Sequence, residues 1–151
     1  MNNLLSIADI KAGIPAEFRS FFQIVKLNPD LITLQLAESF WHSIALFGRV
    51  SRLSKPCKII LDTSPFCIDL GVGKLSFLAE EKTYHIAIEN IVFLDIKKAA
   101  MLPQNFQIAT FLEEFVHALM DVEDEDLTSK IVAAIYPGIK YVDGKYTWPL
   151  L

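Results

Sequence analysis

From Ile108 onward, apolar residues recur at three- and four-residue spacing: Phe111, Leu112, Phe115, Val116 and Leu119. That is the spacing of one buried helical face. At about 100° per residue, Thr110, Glu113, Glu114, His117 and Asp121 gather on the opposite face. A second helix is predicted over residues 31–50, with Leu36, Phe40, Ile44 and Phe47 as its stripe and Gln35, Glu38, Ser39 and His42 opposite. Asp30, after the breaker Asn28-Pro29, suits its N-cap. Upstream, Pro15 fits the first turn of a helix whose face carries Phe18, Phe21, Phe22 and Val25.

The period changes after Lys58. Residues 58–62 read as a short buried strand, ended by the turn signal Thr63-Ser64-Pro65. Residues 66–70 and 75–79 flank Gly71-Val72-Gly73-Lys74 as a hairpin, and 80–82 turn the chain. No hydroxyl residue or helix follows that Gly-x-Gly-Lys, so it reads as a turn and not a phosphate loop. In residues 83–89, Tyr84, Ile86 and Ile88 alternate with His85, Ala87 and Glu89, the pattern of a half-buried strand. Residues 92–96 continue extended. Beyond the acidic run Asp121-Val122-Glu123-Asp124-Glu125-Asp126, residues 127–136 predict a helix stopped by Pro137-Gly138. Residues 140–148 then form a hairpin on an Asp143-Gly144 type I′ turn. The expected fold is α+β in a single domain, 1–151: a helical part (1–56), a β-rich part with a small, mainly antiparallel sheet (57–100), then the motif helix, a second helix and the C-terminal hairpin (101–151).

Composition narrows the class. The chain is 52% hydrophobic and 21% charged, enough apolar residue for a sizeable core. Its mean hydropathy of +0.36 suggests apolar surface that a homodimer interface would cover. No apolar run approaches the roughly 20 residues of a membrane span. A net charge of −4 without a basic patch argues against a nucleic-acid partner. Met1-Asn2-Asn3-Leu4-Leu5-Ser6 lacks the charged start and apolar stretch of a signal peptide, so a cytoplasmic protein is expected. Cys57 and Cys67 match no zinc knuckle or disulfide scaffold and read as small buried hydrophobes.

The chemistry is concentrated on the helix over Phe111–His117. One turn separates Glu113 from His117, and Glu114 lies three residues before it, so these side chains are placed to share an ion or a proton. Glu113-Glu114-Phe115-Val116-His117 resembles the His-Glu-x-x-His helix of the zincin metallopeptidases, with Glu113 at the first histidine's position. The likeness covers roughly residues 84–127. It implies a zinc or other divalent ion held by His117 and Glu113, with Glu114 as general base on the bound water. Glu123, six residues after His117, falls at the third-ligand position of the metzincin branch. Asp124 and the rest of the acidic run to Asp126 offer further carboxylates, and Met120 stands where that branch has glycine. The family's layout further implies an exposed strand lining the cleft and pairing with a peptide substrate, with His85 and Glu89 facing that cleft.

Three functions remain open from the sequence. The first is a minimal zincin-like metal-dependent hydrolase acting on peptides or proteins. The second is a noncatalytic relative that binds a partner or a structural ion. The third is a helical carboxylate-histidine metal protein, because Glu38-Ser39-Phe40-Trp41-His42 repeats the pattern Glu-x-Phe-x-His. It would use Glu38, His42, Glu114 and His117.

Overall fold

The computed structural model describes residues 4–69, 71–78, 80 and 82–149. Leu70, Ala79 and Glu81, expected at the ends of the first hairpin and in the turn after it, lie outside the described residues, as do Met1–Asn3 of the expected leaderless start. In chain order the elements are α1 (Ile7–Gly13), β1 (Phe22–Leu27), α2 (Leu34–Val50), β2 (Cys57–Asp62), β3 (Phe66–Asp69), β4 (Lys74–Phe77), β5 (His85–Ile88) and β6 (Ile91–Asp95). They continue with α3 (Ile96–Ala100), α4 (Gln104–Met120), α5 (Glu125–Ile135), β7 (Lys140–Val142) and β8 (Lys145–Thr147). The mixed α+β class is as expected. Among the described residues no helix is long and apolar enough to cross a membrane.

The sheet corrects two expectations. Its order is β1-β2-β6-β5, with β1, β2 and β6 parallel and β5 antiparallel to β6 at the edge. The central sheet is therefore mostly parallel, and the antiparallel pairs are β5–β6 and the hairpins β3–β4 and β7–β8. Nor is the N-terminal third all helical. Phe22 and Ile24 are buried while Gln23 and Val25 are exposed, so this stretch alternates as a strand, and α2 is the crossover joining it to β2. Asp30 sits in a short 3₁₀ turn, and Thr33 caps α2 by accepting from the Leu36 amide at 3.2 Å.

Each face of the sheet has its own cover. Ile59, Leu61, Val92 and Leu94 join α2 and α4 in the main core, whereas Ile60 and Phe93 pack with Phe66 of β3. The run Ile59-Ile60-Leu61 is buried on both sides, as expected for a strand covered on both faces. Phe115 lies at the centre of the main core. Its ring meets Phe22 of β1 at 5.3 Å and Phe47 of α2 at 5.9 Å, both edge-to-face. Ser39 donates to Gln107 Oε1 at 2.7 Å, a buried polar clip between α2 and α4. In the last hairpin Asp143 and Gly144 both have positive φ, 51° and 75°, as the expected type I′ turn requires. Cys57 is buried, but Cys67 is exposed, contrary to its expected burial.

Candidate functional site

Helix α4 runs along the sheet and ends beside its antiparallel edge. Asp121 stops it in the left-handed region (φ 54°), with Lys55 Nζ 3.0 Å from its carboxylate. The chain then folds back, and Asp124 opens α5 by accepting from the Leu127 amide at 2.7 Å. Between this corner and β5 lies a cavity of about 530 Å³. His85, Ile86 and Ala87 all line it. Successive strand side chains point to opposite faces, so a cavity touching three in a row meets the strand along its edge. The opposite wall comes from Glu114, His117, Asp121, Glu123 and Glu125. A smaller hollow of about 290 Å³ shares His85, Glu114, His117 and Glu125 with it and adds Glu113 and Lys82.

Glu114 is 8% exposed, and its carboxyl has no hydrogen-bond partner among the described residues. Burial, reinforced by the charges of Glu113 and Glu125, raises its pKa to about 8. At neutral pH it is therefore mainly a carboxylic acid. Helical spacing put Glu114 on a solvated face. In the fold β5 walls that face, so the buried arc of α4 is wider than its apolar stripe.

Glu113 points elsewhere. Its Oε1 accepts from the Tyr146 hydroxyl in a short hydrogen bond and from Ser129 Oγ at 3.3 Å. Burial raises its pKa, opposed by those two hydroxyls. Glu113 thus fastens β8 and α5 to α4. His117 is held by the backfolded loop: Nδ1–H donates to the Val122 carbonyl at 2.6 Å, and Nε2 lies 3.4 Å from Glu125 Oε2. A carbonyl can only accept, so the Nδ1 proton is fixed.

His85 lines the cavity as expected, but both of its nitrogens are engaged. Nδ1 accepts from the Asp95 amide at 2.9 Å, so Nε2–H donates to Thr110 Oγ1 at 3.2 Å. Thr110 in turn donates to the Gln107 carbonyl at 3.0 Å. Burial, with the charge of Lys98 adding to it, lowers the His85 pKa to about 3. The ring is a neutral fixture of the sheet edge. Glu89 faces the cleft as expected, at the turn after β5.

The structure thus brings Glu114, His117 and Glu123 to one cavity and adds Glu125, a member of the acidic run that spacing alone did not single out. Glu113 is committed to two hydroxyls, and Asp124 is committed to a helix cap. Among the described residues no group of three His, Cys, Asp or Glu side chains is arranged to hold a metal ion. Of the expected ligands, His117 and Glu123 line the larger cavity, while Glu113 is held by Tyr146 and Ser129 and Asp124 by the Leu127 amide. The two-helix reading also fails to assemble. Glu38 and His42 are exposed, His42 lies against Tyr136 with ring centres 5.9 Å apart, and neither lines the cavity of Glu114 and His117.

No family model, curated protein or solved structure matches this chain.

Proposed function

We propose that this chain is a noncatalytic protein of zincin-like layout that binds an extended segment of a partner protein in the cleft between β5 and the C-terminal end of α4. One observation carries the reading: the outer edge of β5, unpaired among the described residues, borders a cavity walled by the motif helix. An edge strand offers free backbone donors and acceptors, and a peptide laid beside it gains main-chain hydrogen bonds while the neighbouring cavity selects its side chains. The resemblance of Glu113-Glu114-Phe115-Val116-His117 to the zincin helix supports the same placement, because that family reads peptides along such a strand. The commitment of Glu113 to Tyr146 and Ser129 is why catalysis is left out of the proposal.

The test is a library of extended peptides, with binding followed by fluorescence anisotropy in chelator and cleavage followed by mass spectrometry with zinc or manganese supplied. Binding in chelator is expected, together with slowed amide exchange over residues 85–88 and intact peptide in every metal. Peptide cleavage that disappears in Glu114→Gln would restore the hydrolase reading. A library with no binder would remove the peptide reading.

A further inference from the structure

Resting on that reading, we propose that the cleft recognises a cationic side chain of the bound segment, a lysine or arginine seated against Glu114. Five acidic side chains line the larger cavity, Glu89, Glu114, Asp121, Glu123 and Glu125; of the nearby cations, Lys55 is paired with Asp121 and Lys82 lines the adjoining smaller hollow. An acidic rim alone is only a solvated surface. Glu114 is different, because it lines the cavity while more than nine-tenths buried, with no hydrogen-bond partner among the described residues. In the free protein this carboxyl is mainly protonated, so a seated ammonium or guanidinium releases that proton to solvent and faces the ionised carboxylate, and binding strengthens as the pH rises toward 8.

The dimensions favour a side chain over a bare ion. A volume of about 530 Å³ takes an alkyl chain with an ammonium or guanidinium head and leaves room for water. Ile86 and Ala87 offer apolar wall to the methylene stem while Glu114, Glu123 and Glu125 face the head. The same carboxylates draw a basic segment toward the cleft from solution, an attraction that weakens with salt. A free polyamine carries the same ammonium chemistry but no backbone to pair with β5, so the experiment includes it.

The experiment compares peptides of one length and sequence whose central residue is lysine, arginine, norleucine or glutamate, with spermidine and n-butylammonium as backbone-free probes. Isothermal titration on the intact protein in chelator gives the affinities. The lysine peptide should bind about tenfold or more tighter than the norleucine peptide, the range of one buried charge-assisted hydrogen bond. Glu114→Gln should remove most of the lysine preference over norleucine and leave norleucine binding unchanged. Glu123 and Glu125 are exposed, and Glu123→Gln and Glu125→Gln should each weaken lysine binding about two- to fivefold with a reduced salt dependence. Equal affinity for lysine and norleucine peptides overturns the cation site while leaving the peptide reading standing. Spermidine binding as tightly as the lysine peptide overturns the peptide as the source of the cation.

Discussion

Glu114→Gln should stabilise the protein, and by more as the pH rises. The unfolded carboxyl titrates near 4.5, and the folded one is raised to about 8. Between those values the folded state holds a proton that the unfolded state has released, so wild-type stability falls as pH increases. Each unit is worth about 1.4 kcal/mol, which makes the penalty on the order of 3 kcal/mol by pH 7. Glutamine has nearly the same shape and cannot ionise, so the variant escapes the penalty. Below pH 4.5 both proteins carry a neutral side chain here and their stabilities should converge. Other titrating groups, His85 among them, are common to both proteins and cancel in the difference. Urea unfolding followed by the fluorescence of Trp41, whose indole donates to the Ile10 carbonyl at 2.8 Å, measures that difference at half-unit steps in chelator. Parallel stability curves for the two proteins would show that Glu114 is ionised in the fold and that the account of its burial is wrong.

His85 has the opposite sign: its folded pKa of about 3 lies below its ordinary 6.5, so its contribution is intact above 6.5 and is lost as pH falls toward 3. In the Glu114→Gln background the Tm should drop steadily through that window, and nitrogen chemical shifts at pH 5 should show a neutral ring protonated at Nε2. Tyr146→Phe removes a donor from the half-buried Glu113 and should cost about 1–3 kcal/mol in urea unfolding, with Ser129→Ala adding to the loss. Thr128 is fully buried and its hydroxyl has no partner among the described residues, so Thr128→Val should be neutral or stabilising by about 1 kcal/mol, read as a rise in Tm.

Long, strongly periodic segments were legible in the sequence. Phe111, Leu112, Phe115 and Val116 are all buried as their spacing predicts, and α2 ends at Val50 as expected. The stretch around Phe22 carried both signals: Phe18, Phe21, Phe22 and Val25 fit a helix, while Phe22 and Ile24 against Gln23 and Val25 fit a strand. A six-residue segment is too short for periodicity to decide, and pairing with β2 decides it. That single misreading also hid the parallel sheet, since a strand before α2 and another after it make a crossover unit. At the site, the sequence showed Glu113 one turn from His117 and Glu114 three residues before it, and it could not show which carboxylate turns inward. Glu113 is decided by Tyr146 and Ser129, far along the chain, and Glu114 by the wall that β5 builds against it.

The position of Phe115 has a consequence in time. Its ring closes on residues from β1 and α2, laid down long before it in the chain, and β1, β2 and β6 pair in parallel across long intervening segments. Such contacts cannot form until large loops have closed, and folding rates fall as the separation of contacting residues grows. Refolding should therefore run in milliseconds to seconds, the range of sheets built from distant pairings. Phe115→Ala should slow it only to the extent that α4 has docked in the transition state. A chain severed at Pro103 should not keep its strands, because Phe22, Phe40 and Phe47 would face water where α4 had been.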